Sequence, residues 1–173
     1  RLPRRPRRDQ GGLEPLPVSD EHKRVLFLDI DGVMTTARAH LVFGQRGGIW
    51  NDFDPVAVTA VHRALSNGVT LVISSTWRKF PDDLFPKLDQ HDLRRFLHED
   101  WRTKELGIRG LHNRGDEIAE WLGRHPEFTS YRILDDDIDM LDHQMKKLIH
   151  TNGQDGMTTQ NIRDLFYLSA VIK

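Results

Sequence analysis

An α/β fold with a mainly parallel central sheet is what this sequence predicts, on three observations. Apolar runs of strand type recur at Val25-Leu26-Phe27-Leu28, Val69-Thr70-Leu71-Val72-Ile73 and Tyr131-Arg132-Ile133-Leu134. Helical patterns lie between them. Two of the runs end abruptly in clustered aspartates, Asp29-Ile30-Asp31-Gly32 and Asp135-Asp136-Asp137. A strand, a helix and another strand in succession form a βαβ unit, whose parallel strands bring their C-terminal ends together.

Composition bounds the class. The 173 residues are 38% hydrophobic and 29% charged, which suits one soluble domain with a real core. A net charge of −1 gives no global field, so nucleic-acid binding needs a local patch. The absence of cysteine excludes disulfides, thiol catalysis and thiolate-held zinc or iron–sulfur centres, and fits a reducing, cytoplasmic compartment. No apolar run approaches the ~20 residues of a membrane span, and no signal-type segment precedes the first strand.

Residues 1–20 form a different material. Arg1, Arg4, Arg5, Arg7 and Arg8 stand among prolines and glycines, which reads as a flexible arm ahead of a domain over 21–173. Such an arm is a linker to a fused or neighbouring domain, or a basic contact for nucleic acid.

The first strand covers 25–29. Residues 33–53 mix three glycines with Leu41, Val42, Phe43, Ile49 and Trp50, a pattern that predicts a short hairpin or flap beside the carboxylates. Asp54-Pro55 opens a helix as N-cap and first position, apolar residues follow at helical spacing, and Asn67-Gly68 ends it. The second strand, 69–73, runs into Ser74-Ser75-Thr76-Trp77-Arg78. Hydroxyls and N–H groups at that end of a parallel strand can hold a phosphate oxygen, although such a run also suits an ordinary turn.

Residues 81–102 read as an amphipathic helix with Leu84, Leu88, Leu93, Phe96, Leu97 and Trp101 inward, and 106–108 as a short extra strand. A helix begins at Arg114, with Asp116 and Glu117 suited to its dipole. A cation at that N-terminus favours an anion. The strand over 131–134 then meets Asp135, Asp136 and Asp137. A short strand at 148–150 and a helix capped by Thr158 or Thr159 complete the chain, with Ile162, Leu165, Phe166 and Ser169 on one face. The nine histidines show no metal-ligand spacing, and the tryptophans after Trp50 read as packing residues.

Asp29 and Asp31 share a side of the strand tip, because residues i and i+2 face one way. Two carboxylates there repel unless a cation or shared proton relieves them, and an oxygen-only pair suits Mg²⁺. Two independent strand-to-aspartate junctions in one parallel sheet strengthen that reading over a solvated acidic turn.

The ordered set Asp29-x-Asp31-Gly32-Val33, Ser74-Ser75-Thr76, Arg114 and Asp135-Asp136 resembles the haloacid dehalogenase-like (HAD) phosphohydrolase superfamily over about 24–170. The resemblance implies a Rossmann-like three-layer α/β sandwich with no large cap domain. It implies Asp29 as nucleophile and Asp31 as general acid and base. Mg²⁺ is then held by Asp29, the backbone carbonyl of Asp31 and Asp136, with Asp135 as the alternative carboxylate. Ser75, or Ser74, binds the phosphoryl group. Arg114 stands where the superfamily usually carries a lysine, keeping the charge but changing its shape. The Ser-Ser-Thr-Trp-Arg, Arg-Gly-Asp-Glu-Ile and Leu-Asp-Asp-Asp stretches are similar to a compact branch linked to nucleic-acid end repair. The expected activity is a Mg²⁺-dependent phosphatase acting through an aspartyl-phosphate, on a polynucleotide end or a small nucleotide-type phosphomonoester. A non-catalytic HAD-like binding module is the alternative of another class.

Overall fold

The computed structural model describes residues 23–43, 53–106 and 113–169. The Arg/Pro-rich arm lies outside them. Ten elements follow in order: β1 (Lys23–Leu28), α1 (Ala37–Phe43), α2 (Pro55–Leu65), β2 (Val69–Ile73), α3 (Pro81–Gln90), β3 (Leu97–Arg102), α4 (Arg114–Arg124), β4 (Phe128–Asp135), β5 (Leu148–His150) and α5 (Thr159–Ser169). The five strands form one sheet in the order β3-β2-β1-β4-β5, and every pairing is parallel.

Alternation along the strands builds a core on each face. Leu26, Leu28, Leu71 and Ile73 pack on one side with Ala57, Val61, Leu84, Leu88 and Leu165 of α2, α3 and α5. Val25, Phe27, Val72 and Ile133 point the other way, onto Ile118 and Trp121 of α4. Phe27 and Trp121 meet edge to face at 5.3 Å, both fully buried. The result is the three-layer α/β sandwich expected, with no large cap among the described residues. Among the described residues no helix is long and apolar enough to cross a membrane.

Local signals fix the helix ends. Asp54 accepts the Val56 N–H at 2.8 Å and Pro55 takes the first turn of α2. Thr158 caps α5, its hydroxyl accepting from the Asn161 N–H at 3.2 Å.

Two expectations are corrected. The helix over 81–102 stops at Gln90: Asp92 adopts a left-handed conformation (φ 55°), and 97–102 become β3 beside β2. The apolar spacing was ambiguous because Phe85 of α3 and Trp101 of β3 meet each other, at 4.9 Å, from different elements. The hairpin over 33–53 is absent from its described part. Instead the Ile30 carbonyl accepts from the N–H groups of Val33, Met34 and Thr35, and Thr36 caps the short α1. Residues 44–52 lie outside the described residues. Leu106 joins no strand, and the remainder of the extra strand, 107–108, also lies outside them.

Candidate active site

Four strands hand their hydrogen-bond ladder on to polar residues at their C-terminal ends. Asp29 N–H donates to Leu134 O (3.0 Å), Ser74 N–H to Leu28 O (3.0 Å), and Thr103 N–H to Ile73 O (3.1 Å). The registers Leu28↔Ile73, Leu28↔Leu134 and Ile73↔Arg102 therefore set Thr103, Ser74, Asp29 and Asp135 in one row across β3, β2, β1 and β4. All four are buried.

Arg114 reaches this row from the first turn of α4. Asn113 fixes that turn by accepting the Asp116 N–H at 2.9 Å, while Asp116 receives the Asn113 N–H in return. The Arg114 guanidinium lies 2.8 Å from Asp29 Oδ1 and 2.5 Å from Asp135 Oδ2. The other oxygen of Asp135 accepts the Asp137 N–H at 3.0 Å. Asp135 is thus engaged on both oxygens, one of them by the arginine.

The local electrostatics favour a further cation. Burial pushes the Asp29 carboxyl up to about 7, against the pull of Arg114 and a hydrogen bond from Ser75, while the charges of Asp135 and Asp136 push it the same way as burial. Burial also raises Asp135 and Asp136, again partly opposed by Arg114. One guanidinium faces three carboxylates whose oxygens lie within 4.8 Å of one another. An all-oxygen set of this kind fits Mg²⁺.

Asp136 reaches the cluster through a gap kept by glycines. A Cβ on Gly32 would stand 2.0 Å from Asp136 Oδ2, and one on Gly153 3.0 Å from the same atom. Gly32 also has φ 74°, a conformation that L side chains rarely adopt.

Asp31 is exposed at the mouth of the site. Its Oδ2 accepts the Trp77 indole N–H at 3.0 Å and its Oδ1 the Thr35 hydroxyl at 3.0 Å. The two serines differ. Ser75 caps the turn Thr76–Lys79 by accepting the Trp77 N–H and also hydrogen-bonds Asp29. Ser74, in the row with Asp29, has a buried Oγ without a hydrogen-bond partner. Both positions therefore adjoin the nucleophile candidate, and it is Ser74 whose hydroxyl has unused capacity.

Arg78 holds this loop from beneath. Its guanidinium donates to Ser74 O (2.6 Å) and Ser75 O (3.0 Å), and it pairs with both oxygens of Glu117 at 2.9 and 2.8 Å. Thr103 donates to the same carboxylate at 3.4 Å. Burial raises the Glu117 carboxyl and Arg78 opposes the rise. Glu117, read from sequence as a helix-dipole residue, is an internal partner of the phosphate-loop candidate. Its spacing of three from Arg114 put both on one face of α4 and was the available signal. Trp77, read as packing, carries a polar contact that spacing could not reveal.

A second group, His98, His125 and Glu127, gathers near the N-terminal ends of β3 and β4. Asp100 occupies it: its N–H donates to His98 Nδ1 at 3.1 Å, and its carboxylate meets His125 Nε2 at 3.0 Å. The imidazoles pack on Trp121 and Phe128, as part of the fold's frame.

A family model described as the HAD domain in Swiss Army Knife RNA repair proteins matches residues 25–162. No curated protein and no solved structure gives a significant match.

Proposed function

From the premise that the chain belongs to the family of HAD domains in Swiss Army Knife RNA repair proteins, we propose that it is a Mg²⁺-dependent phosphatase acting on phosphorylated nucleic-acid ends. The observation that carries this reading is the Asp29–Arg114–Asp135 bridge at the strand tips, with Asp136 beside it and Asp31 at the mouth.

Asp29 is the nucleophile. Its carboxylate oxygen attacks phosphorus as the bond to the leaving oxygen breaks, and the carboxyl of Asp31 passes its proton to that oxygen. Asp31 then takes a proton from water, whose oxygen attacks the aspartyl-phosphate and releases inorganic phosphate with Asp29 restored. Arg114 neutralises the phosphoryl oxygens and orients Asp29. The hydroxyl of Ser74 or Ser75 binds a non-bridging oxygen. Asp29, Asp136 and the backbone carbonyl of Asp31 would hold Mg²⁺, with Asp135 orienting Arg114. When bound, the ion screens the clash between an anionic nucleophile and an anionic phosphate.

The test is hydrolysis of an aryl phosphate and of 3′- and 5′-phosphorylated oligonucleotides by the wild type and Asp29→Asn, with Mg²⁺ and with chelator. Activity that needs Mg²⁺ and disappears in the variant supports the reading. Equal activity in both proteins removes Asp29 as nucleophile, and a silent wild type leaves the non-catalytic module.

A further inference from the structure

Beside the phosphoryl site lies an open cleft of about 1020 Å³. Asp31 and Asp136 line it, so it begins where the leaving oxygen must sit. Trp77 and Phe80 line it from the turn after β2, and Leu41 and Phe43 from α1. Two backbone bonds tie α1 down: Ala37 N–H to Gly153 O at 3.0 Å and Arg38 N–H to Gln154 O at 2.9 Å. Phe80 is 58% exposed and Leu41 83%, a heavy display of apolar surface beside a charged site.

Charge selects the occupant. Among the described lining residues none is lysine or arginine, while Asp31, Asp83 and Asp136 are acidic. A polyanionic backbone tracks along cationic grooves, and the described lining residues form none. A flat, uncharged base suits this lining, with the terminal phosphate carried into the row behind Asp31 and the rest of the strand leading away from the cleft.

We propose that this cleft binds the terminal nucleoside of the substrate, its base stacked on the aromatic wall that includes Phe80, and so makes the enzyme specific for phosphates borne by a nucleotide with an intact base. The proposal rests on the phosphatase reading above and names how its substrate is recognised. Base–aromatic stacking tolerates any sequence, which suits an enzyme working on ends of varied sequence.

The experiment compares a terminally phosphorylated ribo-oligonucleotide, with the phosphate at either end, against its match lacking the base on the phosphorylated residue. Wild type, Phe80→Ala and Phe80→Trp are assayed on both, with an aryl phosphate and Asp29→Asn as controls. Removing the base is expected to lower kcat/KM about 10-fold or more, within the range of one lost stacking contact. Phe80→Ala gives the same loss on the intact end and no further loss on the base-less one, and Phe80→Trp restores the intact-end rate. Equal turnover of both substrates by the wild type overturns the proposal, as does a Phe80→Ala defect of equal size on both. Were Phe80→Ala to misfold, Phe43→Ala, at another aromatic of the cleft outside the Asp31 contact, takes its place under the same criteria. Hydrolysis of the aryl phosphate but of neither oligonucleotide overturns the nucleoside proposal and leaves the phosphatase standing. Hydrolysis of nothing overturns both.

Discussion

The indole N–H of Trp77 donates to Oδ2 of Asp31 across 3.0 Å, joining the turn after β2 to the mouth of the β1 loop. With Thr35 on the other oxygen, it sets the direction of the carboxylate proposed to move the proton. Trp77→Phe keeps a ring and removes the donor. A hydrogen bond to a charged group contributes about 1.5–3 kcal/mol. The expected outcome is a fall in kcat of about 10-fold or more, with KM for an aryl phosphate little changed. A loss confined to KM would make Trp77 a substrate contact only.

Gly32→Ala tests the gap that admits Asp136. The new Cβ collides with Asp136 Oδ2, and the positive φ adds strain of about 1 kcal/mol. Asp136 is exposed and can swing away, so the fold survives. The Mg²⁺ concentration for half-maximal activity is expected to rise about 10-fold or more, and titration calorimetry should show the same loss of Mg²⁺ affinity. Unchanged Mg²⁺ binding would remove Asp136 from the ligand set.

Glu117→Gln leaves Arg78 buried without its charge partner. Breaking a buried pair costs about 3–5 kcal/mol, which urea unfolding will register. The double variant Arg78→Met with Glu117→Leu should recover most of that stability. It should not recover activity, because Arg78 also holds the carbonyls of Ser74 and Ser75. Recovery of both would reduce the pair to packing.

Separate Ser74→Ala and Ser75→Ala variants divide the phosphate-binding role. The unpartnered Ser74 hydroxyl predicts the larger rise in KM for Ser74→Ala. Ser75→Ala, which removes the cap on the Trp77 N–H and a hydrogen bond to Asp29, should lower kcat and thermal stability together.

Asp54 gives a pH signature. Burial would push its carboxyl up, but Arg38, the Val56 N–H and Thr36 together hold it below the usual carboxylate range. A depressed folded-state pKa contributes stability above the unfolded value, near ~4, that is lost as pH falls through the folded one. Asp54→Asn keeps the cap and removes the charge. Its deficit of about 1 kcal/mol at pH 7 should therefore shrink to nothing in strong acid. A deficit unchanged from pH 7 to about pH 2 would assign it to geometry instead.

Sequence and structure agree where the local rules all point the same way. Buried β-type runs made β1, β2 and β4, and Asp54-Pro55 made the start of α2, because propensity, capping and burial all favoured one answer there. They part at Leu93, Phe96, Leu97 and Trp101, whose spacing suits a helix and whose place is a turn and an edge strand. Only the open edge of β2 makes a strand of 97–102, and a sheet edge is not a local property of the sequence.

The site divides the same way. By itself the sequence determined that carboxylates would end two strands and hydroxyls a third, since strand order in the chain and residue type suffice for that. Tertiary structure alone decided that Arg114 bridges Asp29 and Asp135, that Gly32 makes room for Asp136, that Trp77 holds Asp31 and that Glu117 turns inward to Arg78. The contacts Trp77–Asp31, Arg114–Asp29, Gly32–Asp136 and Glu117–Arg78 join residues 46, 85, 104 and 39 positions apart. Register across a parallel sheet sets such meetings, and register is fixed by packing on both faces rather than by any one segment.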